Sequence, residues 1–310
     1  MVRAMTTTTM HGGDTARPLA GALWMLATGF CFVAVTAIVR YLGTSLPAAQ
    51  AAFLRFGFGV LFLLPPILGV LRAGLPTGSA ALFALRGVAH VVAVILWFHA
   101  MARLPLAEVT AIGYLNPVMV TLGAALFFGE RLALRRIGAV IVALVGAAIV
   151  LRPGLREVTP AHLAQIGAAL SFAVSYLFAK RLGQMASPQA VVAMMSLTVT
   201  LGLAPLAWAV WVPVTLEQTA WLALVAAFAT AAHYAMMRAF ACAPLTVTQP
   251  VTFLQLVWAT LLGVFVFDEA VDPFVLAGGA VIIAAVSFIT WREAQLSLRG
   301  AAPPAQGDTP

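Results

Sequence analysis

Charge is what this sequence holds least of. Of its 310 residues, 9% are Asp, Glu, Lys or Arg and 63% are apolar, whereas soluble globular domains run to about 25% charged and about 45–50% apolar. A soluble fold of this size is excluded, because its interior cannot enclose so much apolar surface, while a bilayer takes up apolar surface without needing an interior. Cysteine is scarce as well. Cys31 and Cys242 stand far apart inside apolar segments, which argues against a disulfide framework and against a metal site and leaves two small packing residues. The 17 basic residues outnumber the 10 acidic ones, for a formal net charge of +7, but no basic run is longer than Arg135-Arg136 or Lys180-Arg181. No basic groove with interleaved aromatics can form, so nucleic acid is not expected as a partner. A P-loop is missing, which excludes direct drive by ATP, and so are an H-E-x-x-H pair, paired intramembrane aspartates and a nucleophile elbow.

What is present is a series of apolar runs punctuated by proline. They predict ten spanning helices, at 19–39, 48–71, 80–102, 106–128 and 135–151 in the first half and 160–179, 188–211, 219–240, 245–267 and 273–291 in the second. Each has roughly the 20 residues that a bilayer core requires. Pro47, Pro76, Pro105, Pro153, Pro160, Pro188, Pro213, Pro244 and Pro273 all fall at predicted edges, where a missing N–H costs least. The run from Leu19 is too long for a signal-peptide core and is expected to be retained. Residues 1–18 are expected to be a disordered cytoplasmic tail and 293–310 a cytoplasmic tail that is disordered from Gly300 on, around a first repeat at 19–152 and a second at 160–292. With the N-terminus inside, eleven basic residues lie on the cytoplasmic side and four outside (Arg40, Arg103, Arg152 and Arg156), with Arg55 and Arg86 inside spans. The positive-inside rule then puts both termini in the cytoplasm.

The chain repeats itself. A shift of 139 lays 105–132 on 244–271 with eight of 28 positions identical, among them Pro105/Pro244, Leu115/Leu254 and Glu130/Glu269; a shift of 140 pairs Phe32, Arg40, Leu42 and Gly43 with Phe172, Lys180, Leu182 and Gly183. Two repeats of five spans follow. Five is odd, so the copies insert with opposite orientation about an axis in the membrane plane.

Pro105-Leu106-Ala107-Glu108, Asn116-Pro117, Gly129-Glu130, Arg135-Arg136 and a small-residue helix ending at Arg152-Pro153-Gly154 together resemble an EamA repeat of the drug/metabolite transporter superfamily. The second copy keeps Pro244-Leu245 and Glu269 but has Gln255-Leu256 for Asn-Pro and Asp268 for Gly129. The resemblance implies an all-α integral membrane protein of the bacterial inner membrane. It also implies alternating-access transport of a small organic metabolite, as a monomer or homodimer in the lipid bilayer, with no cofactor and no metal. Candidate substrates are S-adenosylmethionine-like or riboflavin-like metabolites and amino acids.

Ionisable groups inside spans are costly and are therefore functional candidates. Arg86, His90, Ala93, Trp97 and Met101 follow one another at helical spacings and share a face. They form either a cavity wall for an anionic or aromatic ligand, or a snorkelling Arg86 above a packing Trp97. Arg55 fits better with a structural role near a helix end. Thr110, Tyr114, Pro117 and Thr121 share a face of the fourth span, and Thr248, Thr252 and Gln255, with Gln249 before Pro250, form a stripe on the ninth. His233 and Tyr234 of the eighth span and Ser171, Ser175 and Tyr176 of the sixth are further candidates. The expected substrate-binding set is Arg86, His90, Trp97, Tyr114, Tyr176, Tyr234, Gln249 and Gln255. An intramembrane enzyme using His90 or Glu108 as acid or base is the alternative. Glu130 and Glu269 are expected to tie down equivalent loops, and Ala139, Ala143 and Ala147 of the fifth span, with Ala280 and Ala284 of the tenth, to pack helices closely.

Overall fold

The structure, a computed structural model, describes residues 18–128, 134–243 and 245–300. The side chains of 124, 125, 127, 128, 188, 240, 241, 245, 246, 249, 293, 294 and 296–300 are outside the description. The expected tails before Pro18 and after Gly300, the side chain of Gln249 and all of Glu130 therefore lie outside the described residues.

Every apolar run became helix, and every predicted span has a counterpart. Five spans are single helices of the expected kind: α1 (Pro18–Leu42), α4 (Ala80–Met101), α7 (Leu134–Leu151), α8 (Pro160–Leu182) and α9 (Pro188–Ala209). Two more single helices are α10 (Leu216–Cys242) and α13 (Pro273–Gly300), of which α13 runs nine residues past its expected end. The remaining three are broken. The run at 48–71 is α2 (Ala48–Phe62) and α3 (Leu64–Ala73), bent by 73°. Pro65 and Pro66 cause the bend, since each lacks the N–H that would reach back to Leu61 or Phe62. The run at 106–128 is α5 (Leu106–Gly113) and α6 (Leu115–Phe128), and that at 245–267 is α11 (Leu245–Thr252) and α12 (Leu254–Phe267). Among the described residues nine stretches are long and apolar enough to cross a bilayer, and the bent pair α2–α3 makes a tenth. The chain is an all-α integral membrane protein of two inverted five-span repeats.

The two interruptions within the fourth and ninth spans fall at Tyr114 and Phe253, which are 139 residues apart and so equivalent in the two repeats. Pro117 accounts for the first, because it leaves the Gly113 carbonyl without its helical donor. At Phe253 the ladder tightens instead to i→i+3 bonds, Phe253 N to Pro250 O at 3.3 Å and Leu256 N to Phe253 O at 3.1 Å. The rings of Tyr114 and Phe253 meet edge to face with centroids 5.4 Å apart, so the axis relating the repeats passes between them.

Helix packing obeys the same symmetry. The α1–α10 and α4–α8 interfaces are the most extensive among the described residues, and exchanging the repeats converts one into the other. The α2–α9 and α7–α13 interfaces each join a helix to its own repeat mate. In the α7–α13 contact the backbones nearly touch: a Cβ added to Gly146 would lie 2.8 Å from the Gly278 carbonyl oxygen, and one on Gly278 2.5 Å from that of Gly146. Ala139, Ala143 and Ala147 are buried in this region as expected. On α13 the buried stripe is Gly278, Ile282 and Ala285, while Ala280 and Ala284 are exposed. One hydrophobic core joins α1, α2, α4, α9 and α10, and a second joins α5, α6, α7 and α13.

The face opposite the N-terminus is cross-linked by charge. Glu269, in the α12–α13 loop, accepts the Arg40 Nε–H at 3.1 Å and the Leu106 backbone N–H at 2.9 Å, while Arg40 also reaches the Ala102 carbonyl at 3.2 Å. Glu269 thus ties its loop to α1 and α5. Arg152, at the end of α7, pairs with Asp272 at the start of α13. Glu108 is buried in the first turn of α5, where it pairs with Arg156 and lies 2.7 Å from His162 Nε2. The His162 Nδ1 accepts the Thr159 N–H at 3.0 Å, which closes a capping box on α8.

Candidate functional site: a central cavity between the repeats

A cavity of about 280 Å3 lies where the two repeats meet. His90, Val94 and Trp97, at spacings of four and three, present one face of α4 to it, and Phe172 and Tyr176 do the same from α8. The broken spans contribute Thr110, Tyr114 and Asn116 on one side and Thr252 and Gln255 on the other. Breaking the helices at this depth is tolerable because the freed backbone lines a cavity rather than lipid.

Aromatic rings dominate the wall. His90 meets Phe172 edge-on at 5.1 Å and Phe56 at 5.8 Å; Trp97 meets Phe172 at 5.8 Å; Phe172 and Tyr176 are stacked with centroids 6.4 Å apart. Across the axis Phe32, which pairs with Phe172 at the 140-residue shift, meets His233 at 5.5 Å. His233 stands one turn beyond Ala229, the position that matches His90 at the 139-residue shift, and both line the cavity. Each side of the axis therefore carries a His–Phe ring pair drawn from both repeats, His90 with Phe172 and His233 with Phe32.

Polar groups punctuate it. His90 Nδ1 lies 3.0 Å from Ser175 Oγ, Asn116 Nδ2 donates to the Ala169 carbonyl at 3.0 Å, and His233 Nδ1 donates to the Ala229 carbonyl at 2.7 Å. Gln165 is buried and donates Nε2–H to the Val109 carbonyl at 2.9 Å, but its Oε1 accepts nothing from the described residues. Among the described residues no Asp or Glu lines the cavity; its one permanent charge is Arg55.

Arg55 also lines a second cavity of about 480 Å3, which extends to the face where α1 begins. That vestibule runs between the α2–α3 bend, the start of α9 and the end of α10, past Gln189, Tyr234, Met237 and Arg238, and shares Arg55, Ala229 and His233 with the central cavity.

The eight expected residues separate accordingly. His90, Trp97, Tyr114, Tyr176 and Gln255 line the central cavity. Tyr234 lines the vestibule, 57% exposed, with its hydroxyl 3.1 Å from Arg238. Arg86 does not line the cavity. It is buried one turn before His90, and its guanidinium turns into the helix interface, donating to the Val191 carbonyl at 2.7 Å and lying 3.1 Å from Met195 Sδ. The shared helical face was read correctly, but α9 packs over its inner end and supplies the partner. The Gln249 side chain lies outside the described residues. Arg55, expected to be structural, instead reaches both cavities, and Phe56, Phe172 and Gln165 were not foreseen; the Phe32/Phe172 repeat match was the available signal for Phe172. His90 and Glu108, the residues proposed for an intramembrane enzyme, are not brought together: His90 faces the central cavity and Glu108 a separate pocket near the charged face.

Two inverted five-span repeats closing around a central aromatic cavity define a class of membrane transporter. The chain belongs to the EamA-like transporter family, whose model matches residues 19–152 and 159–291. It is 30% identical over 289 residues to the riboflavin transporter of Vibrio cholerae serotype O1, covering 91% of this chain and 96% of that protein. It is 27% identical over 273 residues to the S-adenosylmethionine uptake transporter of Rickettsia bellii, covering 88% of this chain and 94% of that one. A crystal structure of a protein 19% identical aligns over 90% of this chain and 97% of its own, with a TM-score of 0.55, and shares the fold. The chain is a multi-pass membrane transporter of small molecules.

Proposed function

We propose that this chain moves a small metabolite with a planar aromatic heterocycle, of the kind represented by riboflavin, across the bacterial inner membrane by alternating access at the central cavity. The observation that carries this reading is the aromatic wall of His90, Phe172, Trp97 and Tyr176 against Phe32 and His233, which offers ring faces and edges to a flat ligand between the two repeats. Rings of this kind contribute about 0.5–1.5 kcal/mol per aromatic pair beyond area burial. Gln165 Oε1, with no partner among the described residues, and Gln255 supply hydrogen-bonding capacity to fix the ligand's orientation. The similarity to a riboflavin transporter supports the same class.

An S-adenosylmethionine-like ligand is the weaker reading. Its sulfonium is a fixed cation, and a cavity that holds Arg55 and, among the described residues, no carboxylate repels it. The basic-residue tally favours both termini in the cytoplasm, and the vestibule then opens inward. No Asp or Glu lies in the middle of any span, so the reading is of facilitated diffusion or exchange rather than a carboxylate proton relay.

Purified protein in liposomes provides the test. Time-dependent accumulation of riboflavin, recovered chemically unchanged and faster than in protein-free vesicles, is expected. Flux of S-adenosylmethionine with none of riboflavin overturns the substrate class.

A further inference from the structure

We infer that Arg55 is the docking point for an anionic group on the transported molecule, which makes it a specificity-determining residue; the inference rests on the transporter reading above and names the charge of its substrate. Arg55 is the eighth residue of α2, about 10 Å along the helix at 1.5 Å per residue, and so lies well inside the span. A guanidinium at that depth normally finds a carboxylate or backbone carbonyls. This one makes no hydrogen bond and no ion pair among the described residues; its recorded contact is the ring of Phe56, 3.8 Å below. Arg86, on the neighbouring α4, shows the alternative: its two terminal nitrogens are turned to the Val191 carbonyl and Met195, with only its Nε left without a partner among the described residues. Arg55 has no such acceptor among the described residues and lines both cavities.

Three further features point to a ligand anion rather than to architecture. First, no Asp or Glu among the described residues lines either cavity, so the positive charge of Arg55 goes unanswered by the protein in both. Second, Arg55 breaks the symmetry on which the rest of the cavity is built. At the 140-residue shift its mate is Met195, an uncharged side chain, whereas Phe32/Phe172 and Thr36/Tyr176 pair ring or hydroxyl with ring across the axis. A charge needed for the rocking of equivalent repeats would be expected in both; one present in a single repeat serves something asymmetric. Third, the vestibule has a second guanidinium, Arg238, nearer the face where α1 begins, held by Tyr234 and lying 5.4 Å from the Trp24 ring. An anion entering from that face meets Arg238 first and Arg55 at the junction with the aromatic cavity. The flat part of the molecule then lies against Trp97 and Phe172 with its anionic group on Arg55. Phosphate and carboxylate both suit this site, since a guanidinium binds either through paired N–H donors.

Riboflavin and riboflavin 5′-phosphate form a matched pair of probes: one ring system, without and with an anionic group. Binding of each to the full-length protein in nanodiscs is followed by flavin fluorescence, and exchange of each is followed in proteoliposomes. The wild type is expected to prefer the phosphate by about tenfold, the scale of one charge-assisted pair, and to lose that preference as salt is raised. Arg55→Gln is expected to bring the ratio of the two affinities to about 1, and Arg55→Lys, which keeps the charge and loses the paired donors, to leave an intermediate ratio. Equal affinity of the wild type for both flavins, or an unchanged ratio in both Arg55 variants, overturns the assignment while leaving flavin transport standing. Failure of the wild type to bind or exchange either flavin overturns the aromatic-heterocycle reading and this inference with it. Should Arg55→Gln not insert, the Arg55→Lys ratio and the salt dependence of the wild type decide the question.

Discussion

Trp97 and Phe172 come from different repeats and meet edge to face at 5.8 Å, with Tyr176 stacked on Phe172. Replacing Trp97 with Leu removes one ring of that wall and is expected to weaken riboflavin binding by about fivefold, the equivalent of ~1 kcal/mol for a lost aromatic contact. Fluorescence titration checks this, with unchanged thermal unfolding as the control for folding. Arg86 belongs to a different category despite sharing a helical face with Trp97. Its tie to the Val191 carbonyl joins α4 to α9, and Arg86→Gln removes that charge-assisted bond between the two helices. The expected result is a lower melting temperature in detergent, by an amount corresponding to about 1–3 kcal/mol, with the ratio of riboflavin to riboflavin phosphate affinity unaltered. A melting temperature equal to that of the wild type refutes the structural role.

At the scale of elements, the broken spans and the charged face act together. Glu269 holds the start of α5, the end of α1 and the α12–α13 loop at once through the Leu106 N–H and Arg40. Hydrogen bonds to charged groups contribute about 1.5–3 kcal/mol each, so this carboxylate weighs heavily in keeping that face closed. Glu269→Gln retains the shape but loses the ion pair, and is expected to raise the rate at which an impermeant thiol reagent reaches a cysteine placed at Thr110, applied from the side of Glu269, by about tenfold. An unaltered rate shows that packing closes this face without help from the ion pair. The α7–α13 contact is held by close packing instead of charge. Gly146 and Gly278 leave no room for a side chain, and Gly278→Leu is expected to separate the helices at a cost of about 1–3 kcal/mol or more, read as a lower melting temperature or loss of the inserted protein.

For the whole molecule, an odd number of spans per repeat turns a duplicated sequence into two copies of opposite orientation. The equivalence of Tyr114 and Phe253, in ring contact across the axis, and the exchange of α1–α10 with α4–α8 are what that duplication looks like in three dimensions. In a background lacking Cys31 and Cys242, single cysteines at Ser45 and Glu217 are expected to react with an impermeant maleimide in intact cells, whereas cysteines at Arg135 and Gln184 react only after permeabilisation. All four sites are exposed. Labelling of Arg135 from outside would invert the proposed orientation without disturbing the fold.

The fold was legible in the sequence because lipid leaves so few choices. A chain with 9% charge must hide its backbone in helices, proline punctuates them, and the 139-residue self-match fixes the count and the inversion. Even the break at Tyr114 was foreshadowed by Pro117. The site was legible only in part, because helical spacing gives the face a residue occupies but not what packs over that face. His90 and Trp97 were placed well, since α4 runs alongside the cavity for their whole length. Arg86 shared their stripe and was misplaced, because whether its guanidinium found water, ligand or a carbonyl depended on α9, more than a hundred residues away. Arg55 was the reverse: an ordinary span-edge arginine on paper, it proved to have no hydrogen-bonding or ionic partner among the described residues, only the Phe56 ring, once α9 and α10 closed around a space rather than a carboxylate. Sequence determined which groups are costly to bury; the tertiary structure alone decided which of those costs the protein meets with its own atoms, because a hydrogen bond depends on a distance across the bundle and not on a spacing along the chain.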